Sequence, residues 1–465
     1  MRRLTSRVFT VLATLLLCAG CASRNVTSYY HETEARLATS DDQIYPTGLF
    51  HDALYNPEAI NLNFDGLIIG LDKSPRASVG AVVGGQDFRA QTQTGMGRVV
   101  RQLQQHPKAL YISHILLDRG LPFADGNCAL YSVYPPQAGG SDASQDAGAL
   151  VPACPEYPLR AVKAGAEYAQ SFDALDDLAA LVGQRAASGR YTHLLIVVMG
   201  WNTGQIEALR NFNSLVSHIH RAAVADGKPF RPLFVGVTWP SLWSSAWIEP
   251  ALVLGSYKNK ADDADKLGAG WLGAIVGQLS HAAAPLPAIV IGHSFGARAS
   301  SMATCAGAQF ARAVPAPAVD LLIGLEPAVS IHRFLPGGGD EGIEYPHECA
   351  NAKKIALTFS SQDAAVGRAG WVDFAGAAGG YRAVCAGHSP LRRRQAGCLR
   401  VNGDGRVAPG LDGSHADFVY FDASRLIRFN QPNTGGGAHS DIYRAETGRL
   451  LWDLIEWAAP DGRKQ

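Results

Sequence analysis

The sequence has no apolar run long enough to cross a membrane at its N-terminus: Val8–Leu17 is ten residues, about half of what a bilayer-spanning helix needs. Neither sign of charge is in surplus, with 41 Lys+Arg against 41 Asp+Glu. That removes the basic excess with which a nucleic-acid binder neutralises phosphates. Charge of any kind is scarce at 18%, below the usual quarter. With 47% hydrophobic residues, the chain is one that buries a large core, and disorder of its bulk is excluded. No pair of cysteines has metal-ligand spacing, and Asn402-Gly403-Asp404-Gly405 has too few carboxylates for a calcium loop. No metal and no organic cofactor is expected.

What is present begins with an address. Arg2, Arg3 and Arg7 precede Val8–Leu17, and no acidic residue occurs before Cys21, the layout of a secretory signal. Leu17-Cys18-Ala19-Gly20-Cys21 resembles a bacterial lipobox, with Cys18 where that pattern usually has Leu. The resemblance implies that residues 1–21 are a lipoprotein-type signal peptide and that Cys21 is the lipid attachment site and mature N-terminus. It implies membrane anchoring at the cell envelope, and Ala22 after the cysteine implies the outer membrane. Loss of the three arginines takes the formal charge from 0 to −3. Cys128, Cys154, Cys305, Cys349, Cys385 and Cys398 remain, an even set that favours disulfides in an exported chain. Cys128–Cys154 and Cys385–Cys398 are the expected pairs, because each brackets an irregular loop. Cys305, in an Ala-rich helical stretch, reads equally well as a buried free thiol.

At about 150 residues per domain, a chain of 465 residues holds two or three domains, or one large α/β domain with additions. Residues 22–185 are irregular, with short apolar runs at Leu67–Leu71 and Leu110–Leu117. They form an N-terminal extension that could supply the first strands of a sheet. From 186 to 465 strand-like and helix-like segments alternate, the pattern of a parallel sheet with crossover helices. Strands are expected at Leu194–Met199, Leu233–Trp239, Ala288–Ile291, Leu321–Leu325 and Ile355–Phe359, each a short apolar run. Helices are expected at Ile206–Ala223, Asp262–Ser280, Ala297–Ala311 and Glu446–Ala459, where apolar residues recur every three or four positions. Such an order offers a topological switch point, where open sheets place ligands at the carboxyl ends of their strands.

Chemistry at those ends centres on one segment. Ala288–Ile291 runs straight into Gly292-His293-Ser294-Phe295-Gly296, then into Ala297, Ala299, Ser300 and Ser301. In a chain with 50 glycines the five-letter pattern alone is weak; its placement on a strand-to-helix turn carries the argument. A serine on so sharp a turn is strained, glycine is required two places to either side, and the N–H of Phe295 opens a helix towards a developing oxyanion. This motif, with Met199-Gly200-Trp201-Asn202 after one strand and Trp239-Pro240-Ser241 after the next, resembles the α/β-hydrolase superfamily. More narrowly, it is similar to bacterial lipase-like or esterase-like proteins whose loop reads H-G-[YW]-N. The resemblance covers roughly Gln170 to the C-terminus and implies the α/β-hydrolase fold, with a long insertion before the catalytic His. Met199 stands where those proteins have His. The position equivalent to their second oxyanion donor is Trp201.

A serine hydroxyl needs a neutral imidazole, itself oriented by a carboxylate, and the superfamily order is Ser, acid, His. His332, His347, His388, His415 and His439 follow Ser294. His439, between Gly435-Gly436-Gly437 and the last helix, is the expected base, with His415 its rival. Asp363, just past Ile355–Phe359, is the expected acid, with Glu326, after Leu321–Leu325, its rival. Asp441 reads as a helix cap.

Gly268-Ala269-Gly270-Trp271-Leu272-Gly273 lacks the preceding strand of a dinucleotide site. Arg392-Arg393-Arg394 reads as a solvated loop, and Trp239, Trp243 and Trp247 as core packing or a pocket face. The sequence therefore points to a serine hydrolase of small-molecule or lipid esters, with Ser294, His439 and Asp363 as the triad and Trp201 and Phe295 as the oxyanion hole. The rival is a non-catalytic envelope lipoprotein that uses the same fold as a binding or assembly scaffold.

Overall fold

The computed structural model describes residues 61–73, 95–105, 108, 110–120, 127–133, 151–157, 166–200, 203–241, 261–310, 312–367, 372–387, 390–408, 410–411, 415–429 and 436–459. Cys21 lies outside them, as do Trp201, Asn202, Trp243, Trp247 and His388. The strands are β1 (Asp65–Lys73), β2 (Leu110–Arg119), β3 (Asn127–Ser132), β4 (His193–Val198), β5 (Pro232–Thr238), β6 (Ala288–His293), β7 (Val319–Leu325), β8 (Ala352–Phe359), β9 (Ala396–Val401), β10 (Val407–Ala408) and β11 (Phe418–Asp422). They form one mixed sheet in the order β10-β9-β11-β8-β7-β6-β4-β5-β1-β2-β3.

From β9 across to β1 neighbouring strands are parallel, and the antiparallel pairings, β10 with β9, β2 with β1 and β3 with β2, lie at the edges. The inner strands are buried almost throughout: Leu194, Leu195 and Ile196 of β4 and Val290 of β6 are inaccessible to solvent, because helices cover both faces. On one face lie α2 (Gln205–Ala225) and α5 (Ala445–Ala458). On the other lie α1 (Glu167–Ala187), α3 (Gly273–Ala282) and α4 (Phe295–Ala306). Helix α2 forms because Leu209, Phe212, Leu215, Val216 and Ile219 make one buried stripe. Helix α5 does the same with Leu450, Leu451, Leu454 and Ile455, each such side chain contributing about 1.5–3 kcal/mol on burial.

The chain passes from β4 to β5 on one side and then returns to β6 on the other side of β4. The switch point thus lies between the carboxyl ends of β4 and β6. The sequence upstream of 185 is not separate from this sheet: β1 pairs in parallel with β5, and α1 runs through position 185.

Three expectations need adjustment. Cys128–Cys154 and Cys385–Cys398 are bonded, and Cys305 is bonded to Cys349, so the free-thiol alternative does not hold. The helix expected over Asp262–Ser280 is interrupted at Gly268–Leu272, where Gly270 leaves helical geometry. There the glycines allow contact with the α4 region: a Cβ at Gly268 would lie 2.5 Å from Ala299 O, and one at Gly273 2.7 Å from Ala308 N. Arg394 is not a solvated side chain; its guanidinium donates to the carbonyls of Glu348, Cys349, Ala352 and Lys353.

Candidate active site

Ser294 occupies the turn between β6 and α4 at φ 56° and ψ −123°, a region that L-residues rarely adopt and that costs about 1–3 kcal/mol. Its neighbours hold it there. The Ser294 N–H donates to Leu325 O at 3.0 Å, and its carbonyl accepts from Ala328 N at 3.2 Å. The two glycines are required for space. A Cβ on Gly292 would meet Ala297 Cα at 2.5 Å, and one on Gly296 would sit 2.4 Å from both Val198 O and Met199 O. The carboxyl end of β4 therefore lies directly against the start of α4. Gly200 also lies beside the turn: a Cβ there would be 3.1 Å from His293 Nδ1 and 3.5 Å from Ser294 Cβ. Met199 is buried, and its carbonyl accepts from Trp239 Nε1 at 3.0 Å. Phe295 begins the helix and is buried. Trp201 follows Gly200 in the chain but lies outside the described residues.

His439 and Asp363 are brought together, with Nδ1 2.6 Å from Oδ2. An ionised carboxylate only accepts, so Nδ1 carries the proton and Nε2 is the basic nitrogen. The Asp363 side chain is fully buried and that of His439 is 13% exposed. The other carboxylate oxygen, Oδ1, accepts from Ala365 N at 2.8 Å and Val366 N at 3.1 Å. Burial would raise the Asp363 pKa, but the His439 charge and hydrogen bond, with those donors, hold it below the usual carboxylate value. The two loops are stitched by backbone bonds: Ala364 N donates to Gly436 O, and Ala438 N to Gln362 O, each at 3.0 Å. Gly437 makes this possible at φ 63°, where a Cβ would also lie 2.6 Å from Gln362 O.

A contact that sequence reasoning missed joins the His439 loop to the Ser294 turn. His293, the residue before Ser294, donates from Nε2 to the His439 carbonyl at 2.9 Å, and the two rings lie 4.7 Å apart. Burial, then the neighbouring His439, pushes the His293 pKa down to about 3. His293 is therefore a neutral donor at any ordinary pH, and it carries the His439 loop against the serine turn. The only sequence signal was its place inside the glycine-flanked motif.

Glu326, the rival acid, does not contact the imidazole; it lies behind Asp363. Its Oε1 accepts from Thr358 Oγ1 at 3.0 Å and its Oε2 from Ser360 N at 2.9 Å. His415 is exposed, and His332 pairs with Asp373 at 3.1 Å. Asp441 does not cap the last helix, whose N-cap is Arg444; it accepts from Arg428 N and Phe429 N.

Behind helix α4 lies a buried ionic cluster. Asp265 takes two hydrogen bonds each from Arg298 and Arg333, and Glu341 accepts from both arginines. Arg298 is on α4, one turn past Ser294, so the cluster anchors that helix.

Among the described residues, no group of His, Cys, Asp and Glu could hold a metal ion, and no helix is long and apolar enough to cross a membrane. A cavity of about 470 Å³ opens at the amino ends of β1, β4 and β5, lined by Asp65, Arg190, Tyr191, Arg221 and Arg231 among others. It contains no member of the Ser294, His439 and Asp363 group, which sits at the opposite ends of the strands.

No protein-family model matches the sequence, and no curated protein matches it. Among solved structures, a Trichoderma reesei cutinase in complex with a C11Y4 phosphonate inhibitor is similar over 62% of this chain and 92% of that chain, at a TM-score of 0.22 and 7% identity. That likeness is too slight to assign a family or an activity.

Proposed function

We propose that this chain is a serine hydrolase of the α/β-hydrolase type that cleaves carboxylic esters through an acyl-enzyme. What supports the proposal is a backbone-strained serine at a topological switch point together with an Asp-oriented histidine whose loop is bonded, through His293, to the serine turn. Ser294 Oγ attacks the ester carbonyl and gives its proton to His439 Nε2, while Asp363 keeps Nδ1–H in place and stabilises the imidazolium. The N–H of Phe295, with that of Trp201, holds the oxyanion. The tetrahedral intermediate collapses, His439 returns the proton to the alcohol, and the acyl-enzyme forms. Water, deprotonated by the same imidazole, then releases the acid and regenerates Ser294. A thioester, or an alcohol acceptor in place of water, would use the same groups.

Two features of the sequence support an envelope location: the signal-like layout of residues 1–21 and the lipobox-like cysteine. Cys21 would carry the lipid anchor, with the substrate a lipid ester or a small-molecule ester.

The test is Ser294→Ala. Turnover of a p-nitrophenyl ester series should fall by roughly 10⁴-fold or more, and covalent labelling by a fluorophosphonate should vanish. Wild-type protein that neither turns over any ester nor takes the label would refute the proposal and favour the scaffold alternative. Independently, Cys21→Ser should move the protein from the membrane to the soluble fraction.

A further inference from the structure

Glu326 is completely buried, and no Lys, Arg or His is among its hydrogen-bond and ion-pair partners. Its backbone holds φ 44°, an uncommon conformation for a non-glycine residue. It stands between Leu325, which accepts the Ser294 N–H, and Ala328, which donates to the Ser294 carbonyl, so its segment underlies the serine turn. The side chain projects to the carboxyl end of β8, where Thr358 and Ser360 donate to its two oxygens. There, at the adjacent ends of two parallel strands, its buried carboxyl faces that of Asp363, whose own N–H donates to Ser360 O.

Two ionised carboxylates have four acceptor oxygens and no donor, so the two can bond to one another only if one of the pair carries a proton. Asp363 already accepts from the His439 imidazole and from two backbone N–H groups, whereas Glu326 has one hydroxyl and one N–H. Asp363 is therefore the anion. Burial first, and then the Asp363 charge, raise the Glu326 carboxyl well above its ordinary range. A buried carboxylate without a cation would cost several kcal/mol, and protonation removes that cost.

We propose that Glu326 is a positioning residue: a neutral carboxylic acid that donates its proton to the Asp363 carboxylate and so fixes both the orientation and the basicity of the Asp363–His439 pair. No proton is transferred in this role. The titratable groups that face it are Asp363 on the β8 loop and Tyr420 of β11, whose hydroxyl donates to Ala375 O; His439 and His293 lie beyond Asp363. Losing the donor concentrates charge on Asp363, which then holds the imidazolium more tightly, so the imidazole protonates at higher pH.

The inference rests on the hydrolase reading for its kinetic consequence but not for the protonation state itself, and the experiment separates the two. Infrared spectroscopy of the full chain at pH 7 should show the C=O stretch of a protonated carboxyl that is lost in Glu326→Gln. That outcome does not depend on catalysis. In ester hydrolysis, Glu326→Gln, which keeps a neutral donor, should hold kcat within about threefold and leave the acid limb of kcat/KM in place. Glu326→Leu, similar in size but without a donor, should lose roughly 10- to 100-fold in kcat with KM little changed, as expected for a hydrogen bond to a charged group. Its acid limb should move up. The inference is overturned if the infrared band is absent from wild type, or if Glu326→Gln shifts the acid limb downward, as removal of a second negative charge would. It is also overturned if Glu326→Leu lowers kcat with no movement of the limb, which is what a merely structural role predicts. Wild type with the infrared band but no ester turnover or fluorophosphonate labelling would refute the hydrolase reading and leave the neutral carboxyl standing.

Discussion

Replacing Ser294 by glycine should make the protein more stable than replacing it by alanine, although both variants lack the hydroxyl. At φ 56° and ψ −123° a Cβ is strained by about 1–3 kcal/mol, and alanine retains that strain while glycine relieves it. Against this, glycine costs about 0.5–1 kcal/mol through the greater freedom of its unfolded chain. It also gives up one buried carbon, worth up to about 0.8 kcal/mol. The difference should favour Ser294→Gly by about 1 kcal/mol, the middle of a span of about −1 to 2.5 that these opposing effects allow. Unfolding entropy of about 2.1 cal/mol/K per residue turns this into a melting-temperature gap of roughly 1–2 °C for a chain of this size. The assay is equilibrium urea unfolding of the two variants side by side, with the disulfides intact, and calorimetry as the check. The lost hydroxyl is common to both variants, so it cancels in the comparison. If Ser294→Ala proved more stable than Ser294→Gly by more than about 1 kcal/mol, the strained turn would not be a reservoir of energy. The argument that the fold holds this serine in place at a cost would then fail.

Gly296→Ala reverses the usual benefit of alanine in a helix: with Val198 O and Met199 O both 2.4 Å from the new Cβ, the backbone must move. A loss of about 1–3 kcal/mol, together with loss of fluorophosphonate labelling, is expected in thermal melts and labelling assays. Asp265→Ala leaves Arg298 and Arg333 buried with only Glu341 to balance them, and should cost about 3–5 kcal/mol in urea unfolding. Burial works to raise the Asp265 pKa, but the two guanidiniums prevail and hold it at about 2. A depressed carboxyl stabilises the fold above its unfolded value near pH 4 and loses that contribution as pH falls towards 2. Between pH 5 and pH 3 the wild type should therefore lose more stability than Asp265→Asn, and equal losses would contradict this assignment.

How much of this could be read from the chain depends on whether a residue's role is set by its own backbone or by distant partners. The strands from β4 to β8 were legible because burial on both faces leaves an unbroken apolar run, and the serine turn because its demands fall on five consecutive positions. That Asp363 and His439 meet was approachable from position, one just past a strand and the other just before the last helix. The glycines at 435–437 read as flexible linker, yet Gly437 is fixed by φ 63° and by Gln362 O; only the paired loops reveal that. Glu326 shows the limit most clearly. From sequence it competes with Asp363 for one role, because both follow strands. The two strands are adjacent and parallel, with Val319 opposite Ala352 and Gly324 opposite Leu357, so their ends deliver two carboxyls to the same buried spot. Two charges cannot share it, and the competition resolves into an anion and a neutral donor. The same holds for His293, whose partner is 146 residues away, and for Cys305, whose bond to Cys349 spans 44. In each case periodicity is silent because the deciding contact is made by strand order, and strand order is a property of the whole sheet.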